Sequence, residues 1–235
     1  MARTAVWFSL CALFFPLAFA QLKIMPLGDS TTAITCWRGV LAQELRTAGA
    51  ENFQFVGTQR STCGDNGGHE GYPAIKATAA QSGPNIGGAP WDQNKLPPIL
   101  AALHPDVVMI LLGVNDMAFR GDPSKITAAF GKLVDQMRAD NPNVQVVVAQ
   151  IPPATLTDVR PLDVAIPPWA AAKSTPESPV TVVDCFTGFD ASADTRDGVH
   201  FNDRGDQKVA ACFAPELYRI ITEDAGSGGA PAASV

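Results

Sequence analysis

Apolar residues recur along this chain in two alternating rhythms. Short apolar runs predict strands over residues 23–28, 53–57, 106–112, 144–151 and 180–183. Three of these runs are rich in β-branched residues and apolar on both faces, as strands covered on both sides should be. Between them the spacing changes to that of helices. Residues 37–47 place Trp37, Val40, Leu41 and Leu45 on one side, and Gly49 offers a stop. Residues 124–140 do the same with Ile126, Phe130, Leu133, Val134 and Met137, ended by Asn141-Pro142. A last helix, over residues 202–221, turns Val209, Cys212, Phe213, Leu217 and Ile220 inward, with Pro215 expected to kink it. Strand and helix in alternation predict βα units around a parallel sheet, an α/β fold.

Two stretches break the rhythm. Residues 152–179 are rich in Pro and Ala and read as a loop holding a short, interrupted helix. Residues 59–90 are glycine-rich without periodicity, and so long an irregular segment in a compact domain is usually functional. No internal repeat and no second domain is visible.

The chain opens with the pattern of an export signal: Arg3, an apolar run over residues 6–19, and Ala18-Phe19-Ala20 as a small-x-small cleavage site. That run is short for a membrane span. The expected organisation is a signal peptide over 1–20, one α/β domain over 21–224 and a flexible tail over 225–235. Without Arg3 the 17 basic residues become 16 against 23 acidic ones, a formal charge of −7. An acidic chain with no basic cluster offers no footprint for nucleic acid and no patch for an anionic membrane. Cys11 leaves with the signal, and four cysteines remain in what would be an oxidising compartment. Of their three possible pairings, Cys36–Cys63 and Cys185–Cys212 are favoured, because each brackets one segment of the site described next. No Cys-x-x-Cys spacing suggests a metal, and no Asn-x-Ser/Thr glycosylation site occurs.

Four blocks carry the candidate chemistry. Gly28-Asp29-Ser30 closes the first strand, at the sheet edge where open parallel sheets bind ligands. A helix starting there would aim free N–H groups at a developing oxyanion. Asp197-Gly198-Val199-His200 supplies an imidazole and a carboxylate three residues apart, which a serine nucleophile needs as base and orienting acid. Gly113-Val114-Asn115-Asp116 follows the third strand, where the Asn115 amide can donate to an oxyanion. His69-Glu70-Gly71-Tyr72 lies in the irregular stretch; Gly71 lets backbone approach a bound carbonyl and supply an N–H, while His69 and Glu70 shape the loop by hydrogen bonding.

Together these blocks, in this order, resemble those of the SGNH (GDSL) hydrolases. The resemblance implies a three-layer α/β/α sandwich, flavodoxin-like, with a five-stranded parallel sheet in the order 2-1-3-4-5. It implies Ser30 as nucleophile, His200 as base and then acid, Asp197 as the residue orienting the imidazole, and an oxyanion hole of Ser30 N–H, Gly71 N–H and the Asn115 amide. Residues 24–30, Ile34-Thr35-Cys36-Trp37-Arg38, Phe55-Val56-Gly57 and His69-Glu70-Gly71 are further similar to fungal carbohydrate esterase family 3, which contains acetylxylan esterases. That likeness implies a secreted, monomeric serine esterase that removes acetyl groups from plant cell-wall polysaccharide, with no cofactor. Ala33, Val114, Phe201 and Pro73-Ala74 depart from the family pattern near the site, which touches substrate preference and not reaction class. Two other readings follow from the same residues. One is a broader carboxylesterase or lysophospholipase; the other is a secreted carbohydrate-binding protein on an idle esterase fold.

Overall fold

The computed structural model describes residues 21–60, 62–64, 67–78 and 90–227. The expected signal segment, residues 79–89 of the glycine-rich stretch and residues 228–235 of the expected tail lie outside the described residues. In chain order the elements are β1 (Leu22–Gly28), α1 (Ser30–Ala33), α2 (Trp37–Thr47), β2 (Phe53–Phe55), β3 (Gln59–Arg60), β4 (Gly68–Gly71) and α3 (Pro97–Leu103). They continue with β5 (Val107–Leu111), α4 (Val114–Ala118), α5 (Pro123–Asp140), β6 (Gln145–Gln150), α6 (Arg160–Lys173), β7 (Val180–Asp184), α7 (Ala191–Asp194) and α8 (Asp203–Ser227).

The strands form one sheet in which β1, β5, β6 and β7 run parallel as consecutive neighbours. On the other side of β1 two short strands share a single position. β2 pairs with the first half of β1 and β4 with its end, where Gly28 lies opposite Gly71. The five-position order expected from the resemblance is therefore present, with its second position divided. β3 adds an antiparallel pair to β4.

Pro26 accounts for the division. A proline in a central strand removes one ladder donor. Ile24 O accepts from Val56 N at 2.8 Å and Gly28 O from Tyr72 N at 3.3 Å. The two-residue alternation puts the nitrogen of Pro26 on that same side, in the gap between β2 and β4. The missing N–H thus falls where no strand needs it.

Helices cover the sheet. α2 packs along α8, with Trp37 stacked on Phe213 at 5.2 Å, and α5 packs on α3 and α6. All five residues of β5 are buried, as are Val146–Ala149 of β6 and the apolar stripes predicted for α2, α5 and α8, apart from the half-buried Val40 and Cys212. α8 continues through Pro215 and three residues past the expected boundary at Asp224. The structure joins Cys36 to Cys63 and Cys185 to Cys212.

The Pro-rich stretch differs most from expectation. α6 runs unbroken for 14 residues with Pro167 and Pro168 inside it. Each proline deprives the carbonyl four residues earlier of its helical donor. Gln150 Nε2 donates to Asp163 O at 3.0 Å and replaces the donor that Pro167 lacks. Val164, whose carbonyl faces Pro168, is exposed, so water can serve there. Leu162, Ile166 and Ala170 then form a buried stripe that holds the helix to the core.

Candidate active site

β1 delivers Ser30 to the carboxyl edge of the sheet as the first residue of α1. Asp29 caps that helix: its Oδ1 accepts from Thr31 N and Thr31 Oγ1, both at 2.9 Å. The cap carboxyl is itself buried, and its Oδ2 has no hydrogen-bond partner among the described residues. Burial pushes the Asp29 pKa up to about 6, against the Thr31 hydrogen bonds that hold it down. No acceptor among the described residues engages the Ser30 N–H.

His200 reaches Ser30 from the far end of the sequence, with its Nε2 3.0 Å from Ser30 Oγ. Its Nδ1 lies 2.6 Å from Asp197 Oδ2. Asp197 Oδ1 accepts from His200 N at 2.8 Å and Val199 N at 3.0 Å. The His200 ring and backbone donors hold the Asp197 carboxyl down to about 2. A carboxylate on Nδ1 sets the ring with its proton there and its Nε2 lone pair toward the serine hydroxyl.

The loop carrying this pair is closed at its base by a Thr195–Phe201 bridge and by Arg196 N donating to His200 O at 2.8 Å. Gly198 sits at its tip with φ +90°, and its N–H donates to Thr195 Oγ1 at 2.7 Å. Thr155 N donates to Gly198 O at 2.8 Å, and a Cβ on Gly198 would overlap Thr155 Oγ1. Thr155 therefore buttresses the turn, a role that no sequence spacing announces.

The two remaining blocks meet above β1. Asn115, in the first turn of α4, donates Nδ2 to Ile75 O at 2.9 Å, which leaves its second amide hydrogen for a ligand. Asp116 clamps the same segment by accepting from Ala77 N, Thr78 N and Thr78 Oγ1 at 2.8–3.0 Å. Burial pushes its carboxyl up, while those three donors hold it down. Gly71 lies against α1, where a Cβ would come within 2.6 Å of Ala33 N. Its N–H, expected to face an oxyanion, instead donates to His69 Nδ1 at 3.1 Å. The His69 ring is buried, and burial, ahead of the Arg38 and Arg60 charges, pushes its pKa down to about 4. It is therefore a neutral acceptor with its proton on Nε2. Glu70 shapes the loop by taking Thr58 N on Oε1, and Thr58 Oγ1 and Tyr72 OH on Oε2. His104, the third histidine, pairs with Asp140 at 3.0 Å outside the site. Among the described residues no three His, Cys, Asp or Glu side chains converge as a metal would require.

Solved structures of similar shape agree with this arrangement of elements. The chain is 32% identical to an acetyl esterase, solved as a mutant with acetate ion, over 87% of this chain and 100% of that one, with a TM-score of 0.77. It is 32% identical to a carbohydrate esterase family 3 protein from Talaromyces cellulolyticus, over 86% and 99%, at a TM-score of 0.76. It is 27% identical to a family 3 carbohydrate esterase from Clostridium thermocellum, over 87% and 99%, at 0.73. No curated protein sequence matches it. The sequence profile of the GDSL-like lipase/acylhydrolase family matches residues 27–208, which span every block of the site, and the chain belongs to that family.

Proposed function

We propose that this protein is an exported serine esterase that removes acetyl groups from a plant cell-wall polysaccharide, with acetylated xylan as the leading substrate. The reading is carried by the unbroken contact from Asp197 through His200 to Ser30, at 2.6 and 3.0 Å. Membership of an acylhydrolase family and the family 3 carbohydrate esterases among its neighbours support ester hydrolysis. Two disulfides, and no helix among the described residues long and apolar enough to cross a membrane, are compatible with export.

His200 Nε2 takes the Ser30 proton as Oγ attacks the acetyl carbonyl. The Ser30 N–H and the free amide hydrogen of Asn115 receive the oxyanion. The Gly71 N–H joins them only by leaving His69 Nδ1. His200 then returns the proton to the departing sugar hydroxyl, and water, activated by the same nitrogen, clears the acetyl-enzyme. Asp197 stays ionised throughout, its carboxyl held down to about 2 by the His200 hydrogen bonds.

The test is acetate release from acetylated xylan by wild type beside Ser30→Ala. Wild type is expected to release acetate and the variant to fall by on the order of 10⁴-fold or more. Release by both at the same rate removes Ser30 as nucleophile, and release by neither from any acetylated glycan removes the substrate class. Aryl octanoate cleaved faster than aryl acetate would turn the reading toward a long-chain esterase.

A further inference from the structure

A cavity of ≈ 460 Å³ is lined by Arg196 and Phe201, the chain neighbours of Asp197 and His200, and has no part in the chemistry above. Its walls come from both halves of the site. The end of α1 supplies Ile34, Thr35 and Cys36; the far wall holds Arg196, Phe201 and the first turn of α8. Ile34 follows Ser30 by four residues, Arg196 immediately precedes Asp197, and Phe201 immediately follows His200. A polymer whose substituent reaches Ser30 can run its chain along these walls.

The chemistry of the walls is that of a sugar site. Ile34 is 50% exposed, one of few large apolar side chains in the described surface left so open. It offers an apolar patch to the C–H face of a ring. Arg196 makes one weak hydrogen bond, from Nη2 to Ile34 O at 3.4 Å, and its other guanidinium donors are unengaged among the described residues. Asp206, which also lines the cavity, is buried and caps α2, with Oδ2 taken by Cys36 N at 3.0 Å and Trp37 N as a second donor to the carboxyl. A ring hydroxyl can accept from the unengaged Arg196 donors.

Charge selects among sugars. Arg204, which also lines the cavity, shares Asp194 with Lys208, so two arginines stand with the two carboxylates of Asp203 and Asp206 and the lining carries no net formal charge. A uronic acid would add a third carboxylate. Resting on the proposed deacetylase reading, we infer that this cavity is the subsite for a neutral pyranose adjacent to the acetylated residue of the substrate chain, with Arg196 and Ile34 as its specificity determinants.

Binding without turnover tests this. Ser30→Ala protein is titrated calorimetrically with xylotetraose, cellotetraose and mannotetraose, then with a xylo-oligosaccharide carrying a glucuronic acid branch. The expected result is saturable binding of at least one neutral tetrasaccharide. Adding Arg196→Ala should weaken it about tenfold, and Ile34→Ala about threefold. Affinity unchanged within twofold in both double variants overturns the subsite, as does the absence of binding to all three neutral probes. A tenfold preference for the branched acidic probe overturns the neutral assignment. These outcomes are separate from the deacetylase reading, which stands or falls on acetate release by the wild-type protein.

Discussion

The two halves of the proposed site are built from different materials. Ser30 is 7% exposed and stands where β1 passes into α1, with strand neighbours on both sides and Gly71 against its helix. Its position is a consequence of the core. The side chains of His200 and Asp197 are 26% and 54% exposed, and their loop is held by a handful of polar contacts. Packing fixes a group against many neighbours at once, whereas a hydrogen-bonded turn depends on each of a few bonds. Damage on the first side should therefore be read in stability, and damage on the second in turnover with the fold intact.

Asp197→Asn gives this contrast its largest effect. The amide keeps the size of the carboxylate and can still accept from Val199 N and His200 N. It cannot hold the imidazole with a proton on Nδ1 and a lone pair on Nε2 as firmly, and it removes the charge that favours the imidazolium. Turnover should fall by on the order of a thousandfold to ten-thousandfold. The melting temperature near pH 7 should move little, because the group is more than half exposed and its charge is screened. Steady-state kinetics on an aryl acetate together with a melting curve check both halves. A large loss of melting temperature with turnover preserved would reverse the assignment.

The same methyl group placed on either side sharpens the difference. In Gly28→Ala the Cβ would overlap both Leu111 O and Thr32 Oγ1. The carbonyl belongs to the neighbouring strand, so β1 or β5 must shift, at a cost of roughly 3 kcal/mol or more. In Gly198→Ala the Cβ meets one threonine side chain at an exposed turn, and φ +90° adds strain of about 1–2 kcal/mol. The expected result is a soluble protein with turnover lowered about ten- to a hundredfold. Urea unfolding and kinetics on both variants decide it. If Gly198→Ala unfolds as readily as Gly28→Ala, the turn that carries His200 is part of the core after all.

This division also explains what could be read from residues alone. Periodicity revealed the long strands and the helices α2, α5 and α8, because packed elements must carry their own apolar pattern. Asp197 and His200 were legible as a pair because their contact spans three residues. What remained hidden depends on contacts between distant residues. Pro167-Pro168 reads as a break until the Gln150 amide is seen at the Asp163 carbonyl. β4 consists of Gly-His-Glu-Gly and carries no strand pattern; β1 and the hydrogen bonds of Glu70 hold it. The Thr155 buttress and the capture of the Gly71 N–H by His69 likewise leave no periodic trace.

The smallest effect expected lies inside the rigid half and appears only as a pH dependence. Asp29 caps α1 through one oxygen and buries the other without a partner among the described residues, and burial raises its pKa from 3.8 to about 6. Between those values the unfolded chain releases the proton while the folded one retains it. Stability therefore falls as pH rises from about 4 to about 6 and stays at the lower level above that. A shift of this size corresponds to on the order of 2–3 kcal/mol. Asn in its place can accept the same two bonds from Thr31 and has no charge to desolvate, so Asp29→Asn should flatten part of that decline. Asp163, raised to about 7 by burial next to Ile151 N, leaves its own decline in place and serves as the internal control. Melting temperatures of wild type, Asp29→Asn and Asp163→Asn at pH 4 and pH 7 separate the two contributions. An unaltered decline in Asp29→Asn would mean that water reaches the Asp29 carboxyl, and that the Ser30 side of the proposed site is less closed than its packing implies.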